Sequence, residues 1–87
     1  MIVALNAVYL GYAAGALTVL ALVPQVVRAY RTRRVDDLSL RMAVLLVLSG
    51  ILWLACGVLV SQRPVVLTNA GVVILASALV IAKLRFR

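Results

Sequence analysis

The chain of 87 residues contains no histidine, a single cysteine and only two acidic side chains, the adjacent Asp36 and Asp37. The chain therefore lacks the ligands for a histidine and carboxylate metal site. It also lacks the residues for an acid/base mechanism with two separated carboxylates. One cysteine forms neither an internal disulfide nor a thiolate zinc cluster. These absences predict a protein that is not an enzyme and that holds no metal and no cofactor.

Apolar residues, in contrast, make up 67% of the chain, and charged residues only 13%. A soluble domain carries about 45–50% apolar and about 25% charged residues. A water-soluble chain this short cannot bury so much apolar surface, because the buried fraction falls as a protein becomes smaller. The excess must face lipid, so the chain is predicted to be an integral membrane protein.

Three runs without any charged residue are long enough to cross a bilayer, whose hydrocarbon core of about 30 Å needs roughly 20 helical residues. They cover residues 2–27, 42–60 and 64–82. A charged loop separates the first two runs, and a turn closed by Pro64 at a helix start separates the last two. The first run lacks the basic start of a signal peptide and is too long for its apolar stretch, so we expect it to be retained. The sequence predicts one all-α, three-span transmembrane domain over residues 1–87.

The basic residues predict the orientation of these spans. The loop over residues 28–41 carries five arginines against two aspartates, and the C-terminal tail adds Lys83, Arg85 and Arg87. The turn between the second and third spans holds only Arg63. The positive-inside rule then places the loop and the C-terminus in the cytoplasm and the N-terminus outside. Topology and anionic headgroups thus account for the net charge of +7, and no nucleic-acid partner is expected.

Small and polar residues form one stripe along the first span at helical spacing. They are Gly11, Gly15, Thr18, Leu22 and Gln25. The two glycines make a GxxxG pattern, which allows another helix to approach closely. Helix packing explains the glycines, whereas Thr18 and Gln25 are equally compatible with the lining of a cavity.

The second and third spans carry an aromatic and an amide side chain at one depth. Trp53 lies seven residues before Val60, roughly 10 Å below the membrane surface and too deep for an aromatic belt. Asn69 lies five residues after Pro64, at a depth of roughly 8 Å. An indole stacks on the C–H face of a sugar ring, and an amide pairs with the sugar hydroxyls. A packed indole and an interhelical asparagine hydrogen bond explain the same residues without a ligand.

The spans contain no carboxylate and no histidine, although a proton-coupled carrier generally needs such a group. A transporter of this composition is predicted to be passive. Three spans are too few to surround a solute, and every copy must insert with the same orientation. The expected assembly is a parallel homodimer of 3+3 helices, with its two-fold axis along the membrane normal.

Several short motifs follow one another in a characteristic order along essentially the whole chain. They are Ala14-Gly15-Ala16-Leu17-Thr18, Pro24-Gln25, Tyr30-Arg31-Thr32-Arg33, Leu38-Ser39-Leu40-Arg41-Met42, Leu52-Trp53, Gly57, Pro64 and Asn69. A lone Pro-Gln pair is a weak signal, but this ordered set within three short spans is specific. The chain resembles the bacterial SemiSWEET half-transporters of the PQ-loop superfamily.

This resemblance implies passive, alternating-access transport of mono- or disaccharides across the inner membrane by a homodimer embedded in the lipid bilayer. Trp53 and Asn69 correspond to the residues that bind the sugar. The Pro24-Gln25 motif corresponds to a hinge in the first helix, and proline supplies a mechanical reason because it removes a helical hydrogen bond.

The gates are the part of the chain that departs from the family. Met42 corresponds to the inner gate, and the pathway or gates further include Thr18, Ser49 and Cys56. Family members commonly close the outer side with a tyrosine and with a basic and an acidic residue. In this chain the three corresponding positions are occupied by Cys56, Val60 and Gln62. We therefore expect the outer gate to close by apolar contact and dewetting.

Two other functions fit the composition. One is a PQ-loop carrier of another small metabolite, such as an amino acid. Such a carrier would have to recognise a charged group, but no ionisable residue lies among the predicted pocket residues. A holin-like protein that permeabilises the membrane would need neither the Trp53 and Asn69 pair nor the Pro24-Gln25 motif. Uptake that saturates with one sugar separates these possibilities, because a membrane lesion passes solutes according to size.

Overall fold

A computed structural model of the chain describes residues 2–86, and the side chains of residues 6–86. These residues form three helices, α1 (Ile2–Thr32), α2 (Leu40–Leu59) and α3 (Arg63–Phe86). Each helix is long and apolar enough to cross a membrane. The predicted all-α membrane architecture is therefore confirmed for this range. Arg87, counted above in the basic tail, lies outside the described residues.

Each helix extends beyond its charge-free run at one end of the bundle. We call this end, formed by residues 28–41 and 83–86, the basic end. Here α1 continues to Thr32, α2 already begins at Leu40, and α3 continues to Phe86. Long basic side chains reach water or headgroups while their stems and backbone stay with the helix. Hydropathy consequently locates the spans but not their ends.

Side-chain and backbone hydrogen bonds fix where α2 begins and ends. The Ser39 hydroxyl accepts a hydrogen bond of 3.2 Å from the backbone N–H of Met42 and caps the first turn. At the other end, the N–H of Gln62 donates to the carbonyl of Gly57 at 2.8 Å. Ser61 between them adopts a left-handed φ of 56°. This is a Schellman ending, with serine at a position that favours glycine.

The turn over residues 60–62 connects α2 directly to α3, and we call this end of the bundle the turn end. Pro64 is the second residue of α3, where its missing N–H leaves no helical hydrogen bond unmade. Its fixed φ also suits the first turn of a helix. The short connection makes α2 and α3 antiparallel neighbours.

The third helix lies between the other two. It packs along both α1 and α2, whereas no Cα atom of α1 lies within 8 Å of a Cα atom of α2 among the described residues. The Cα positions extend 50 × 21 × 14 Å, so the bundle is longest along its helices and wider than it is thick. The protomer is a flattened slab, with α3 in the middle.

Glycines on α1 allow its close approach to α3. A Cβ atom on Gly15 would overlap the hydroxyl of Thr68 and lie 3.0 Å from the Cβ of Thr68. A Cβ atom on Gly11 would lie 3.1 Å from the Cβ of Pro64. The predicted packing role of this GxxxG pattern is confirmed, and its partner is α3.

A hydrophobic cluster of small residues joins the helices at the basic end. Its buried members are Ala29, Val35, Ala43, Leu79 and Ala82. Two long-range hydrogen bonds reinforce it: the Tyr30 hydroxyl donates to the carbonyl of Ala78 at 2.8 Å, and the Lys83 ammonium donates to the carbonyl of Val35 at 2.6 Å. The ring of Tyr30 also meets that of Phe86 edge to face, with centroids 5.5 Å apart. Here α1 and the loop after it are tied to α3.

Substitution of Gly15 tests the contact between α1 and α3. Gly15→Ala should lower the midpoint of thermal unfolding in detergent, because overpacking costs about 1–3 kcal/mol against a helix-propensity gain of about 1 kcal/mol. Thr68→Ala in the Gly15→Ala background should recover most of the loss, since it removes the atoms that the new methyl group meets. A Gly15→Ala protein as stable as wild type, or a double variant no better than the single one, would contradict this packing.

Candidate functional site

Residues from all three helices surround an open cavity of about 220 Å³ on one face of the slab. We call it the Trp53–Asn69 cavity. It is lined by Gly11, Ala14, Gly15 and Thr18 of α1, Trp53 of α2, and Pro64, Val65, Thr68 and Asn69 of α3. Three of the sequence-predicted site residues therefore lie together: Thr18, Trp53 and Asn69. Because α3 is central, its side chains face this cavity between those of α1 and α2.

Trp53 borders two cavities and is 56% exposed. The second cavity, of about 360 Å³, lies along α2 and is lined by Ser49, Leu52, Trp53 and Cys56. Trp53 is therefore not enclosed on all sides by its own protomer. An exposed aromatic surface at this depth in the membrane is available to a ligand or to another chain.

Asn69 is half-buried and does not bond to another helix. Its Nδ2 donates a hydrogen bond of 2.8 Å to the carbonyl of Val65, four residues earlier in α3. The interhelical hydrogen bond considered above is thus wrong for this protomer. The Oδ1 atom accepts no hydrogen bond from the described residues, and no buried polar side-chain atom among them lacks a partner. Oδ1 is therefore accessible, and the bond to Val65 holds the amide in place.

Thr18 lines the same cavity with a hydroxyl whose hydrogen is already used. Its Oγ1 donates to the carbonyl of Ala14 at 3.0 Å, within α1. Its oxygen retains lone pairs that can accept a hydrogen bond. Thr18 therefore offers the cavity an acceptor but no free donor.

The remaining predicted residues lie apart from this cavity. Ser49 and Cys56 line the neighbouring cavity along α2, and Cys56 is exposed. Met42 is also exposed and borders a small cavity of about 100 Å³ at the basic end. Pro24 and Gln25 are exposed on α1 and do not line the Trp53–Asn69 cavity. The helix continues through Pro24 without interruption.

Thr68 lines the Trp53–Asn69 cavity but was absent from the residues predicted from the sequence. Its position directly before Asn69 was the available signal, because adjacent helical residues lie 100° apart and can flank one cavity. Sequence spacing alone did not show that both residues face the same opening. The structure adds a hydroxyl to the amide and the indole.

None of the residues that line the Trp53–Asn69 cavity is ionisable. The cavity offers an aromatic surface, hydroxyl and amide groups, and the small side chains of α1. Such a lining suits a neutral solute with apolar and hydrogen-bonding surfaces, and it offers no countercharge to an ion.

Comparison with known proteins identifies the family of this bundle. The PQ loop repeat family matches residues 7–66. The chain is also 36% identical over 77 residues, 88% of this chain and 90% of the relative, to the sugar transporter SemiSWEET of Bradyrhizobium diazoefficiens. The chain belongs to the SemiSWEET family. The resemblance expected from the ordered motifs is thereby confirmed.

Two further proteins are similar to this chain. The sugar transporter SemiSWEET of Leptospira biflexa is 37% identical over 60 residues, 69% of this chain and 71% of the relative. The crystal structure of a bacterial homologue of SWEET transporters superimposes with a TM-score of 0.88 at 36% identity, over 95% of this chain and 99% of the other. The PQ loop match ends before Thr68 and Asn69, whereas the likeness to the solved structure covers nearly the whole chain.

Proposed function

We propose that this SemiSWEET transports mono- or disaccharides passively across the inner membrane, as a parallel homodimer that exposes one central site alternately to the two sides. One observation carries the proposal: Trp53 of α2 and Asn69 of α3 border the same open cavity on one face of the slab. The two relatives named as sugar transporters support sugar as the solute.

The two side chains supply complementary parts of sugar recognition. The indole of Trp53 provides a flat apolar surface for the C–H face of a sugar ring. The Oδ1 of Asn69 accepts a hydrogen bond from a sugar hydroxyl, and the second hydrogen on Nδ2 can donate one. The bond from Nδ2 to Val65 orients the amide before the sugar arrives, which reduces the entropy lost on binding.

The shape of the protomer supports the proposed homodimer. A cavity of about 220 Å³ is smaller than the roughly 300–1,000 Å³ of sites that bury a small ligand, and it is open on one side. A second copy placed against this face adds an equal cavity and closes the opening. Both copies insert with the same orientation because they carry the same distribution of basic residues, so their axis lies along the membrane normal.

The proposal also includes a hinge and two gates. The Pro24-Gln25 motif is the hinge of α1, because proline leaves the carbonyl four residues earlier without its helical hydrogen bond. Met42, at the basic end, closes the cytoplasmic side. Cys56, one helical turn from Trp53 toward the turn end, lies on the outer side with Ser49 on the opposite side of the indole. Apolar contact and dewetting close this outer gate.

Removal of either recognition group should abolish sugar uptake by proteoliposomes. In Trp53→Ala the stacking surface is lost, and in Asn69→Ala the sugar hydroxyl keeps no partner in a partly dry site, at about 1–3 kcal/mol for each lost group. Insertion and dimerisation should persist in both variants. Near-wild-type uptake by either purified variant would remove that residue from the site.

Ser77→Ala supplies the matched control on α3. Ser77 lies in a groove between α2 and α3 that Val44, Val47 and Leu48 also line, away from Trp53 and Asn69. This variant loses a hydroxyl in the same helix and should transport like wild type. A loss equal to that of Asn69→Ala would indicate a general sensitivity of α3 instead of a sugar site.

Transport should require no ion gradient. No ionisable side chain lines the Trp53–Asn69 cavity, so no group there can change its charge during a transport cycle. Sugar counterflow should proceed at equal pH and equal sodium concentration on both sides of the membrane. Sustained accumulation of sugar driven by an imposed proton or sodium gradient would contradict passive transport.

A further inference from the structure

We infer that Thr68 is a third sugar-contacting residue, whose hydroxyl is kept free of its own helix so that it can bond to the solute. This inference rests on the proposed function and adds to it a residue on the α1 side of the site. The adjacent Asn69 lies beside Gly50 on the α2 side, so the two residues flank the cavity on α3.

The hydroxyl of Thr68 behaves differently from those of the other two threonines. Thr18 and Thr32 each donate to the backbone carbonyl four residues earlier, Ala14 at 3.0 Å and Arg28 at 2.7 Å. Such bonds are the usual way in which a helical threonine satisfies its hydroxyl. The structure contains no corresponding bond from Thr68 to Pro64, nor to any other residue between 6 and 86.

Gly15 provides the space that the Thr68 hydroxyl occupies. The Oγ1 of Thr68 contacts the backbone of α1 where any residue other than glycine would carry its Cβ. Since threonine has two heavy atoms on Cβ, its χ1 rotamers are restricted and packing against α1 decides where the hydroxyl points. The close approach of α1 thus fixes this rotamer without supplying a hydrogen-bond acceptor.

The unpartnered hydroxyl remains accessible from the cavity. Thr68 is half-buried and lines the Trp53–Asn69 cavity. No buried polar side-chain atom of the described residues lacks a hydrogen bond, so the Oγ1 of Thr68 must retain exposed surface. Placing a hydroxyl among apolar groups costs free energy when it has no hydrogen-bond partner. In the cavity that Thr68 borders, water or a hydroxyl of the solute can supply that partner.

The chemistry of Thr68 complements that of Asn69. A threonine hydroxyl both donates and accepts, whereas Oδ1 of Asn69 only accepts. The two residues are consecutive in α3, so their polar groups can bond to neighbouring hydroxyls of one sugar ring. The site therefore selects solutes that carry adjacent hydroxyls, and a solute without them leaves one of these groups unpaired.

The test combines isosteric variants with a direct measurement of binding. Trp53 is the only tryptophan in the chain, so its fluorescence reports solute binding at this cavity. Titration with glucose and with sucrose, and uptake of the same sugars by proteoliposomes, should be measured for wild type, Thr68→Val, Thr68→Ser and Ser77→Ala. Thermal unfolding of each protein shows whether the fold is preserved.

Thr68→Val should weaken the binding of the transported sugar by about 3- to 10-fold, the equivalent of one neutral hydrogen bond, with an unfolding midpoint close to wild type. Thr68→Ser, which keeps the hydroxyl, and Ser77→Ala should bind like wild type. Equal binding by Thr68→Val and wild type would overturn the inference. So would equal losses in the valine and serine variants, or a loss that accompanies a lowered unfolding midpoint, since either indicates packing alone.

Failure of the proposed function has a different signature. In that case wild type itself shows no saturable uptake and no fluorescence response to either sugar, and the inference fails with it. Saturable wild-type uptake together with an unaffected Thr68→Val leaves the proposed function standing and removes only Thr68.

Discussion

Lipid offers no hydrogen bonds to the polar side chains on the Trp53–Asn69 face of the slab. In hydrocarbon, a hydroxyl or an amide must find a partner in the protein or line a water-filled space. The Thr18 hydroxyl donates to a carbonyl within α1, and the Nδ2 of Asn69 donates to a carbonyl within α3. The hydroxyl of Thr68 and the exposed indole of Trp53 remain, and both are accommodated when a second copy covers this face and encloses the cavity. The proposed dimer and its central site are the answer to that constraint.

The position of α3 between its neighbours makes this face possible. To place α3 in the middle, the loop after α1 must cross the basic end of α3 before α2 begins. Val35 is buried at this crossing, and the ammonium of Lys83 holds its carbonyl at 2.6 Å. At the turn end, the Schellman ending at Ser61 returns the chain beside α2. Close approach at Gly15 on one side of α3 and at Gly50 on the other keeps the slab tight.

The sequence allowed the three spans, the family and the pairing of Trp53 with Asn69 to be predicted, because lipid imposes hydropathy and helical spacing fixes depth. It did not allow the order of the helices to be predicted. The glycines of α1 indicated a close partner but not which helix that partner is. The bond from Asn69 to Val65 and the free hydroxyl of Thr68 also escaped prediction, since both depend on rotamers. For Thr68 the rotamer is selected by a glycine on another helix, which spacing along one helix cannot reveal.

The central claim is that the pathway lies between two copies that each contribute one wall. Co-expression of wild-type and Trp53→Ala chains at measured ratios, followed by sugar uptake in proteoliposomes, tests it most directly. If both walls are required, uptake falls with the square of the wild-type fraction, to roughly a quarter at equal amounts, because dimers assemble at random from identical interfaces. Uptake that falls in direct proportion to the wild-type fraction would show that each intact Trp53 contributes independently, and would contradict the requirement for both walls.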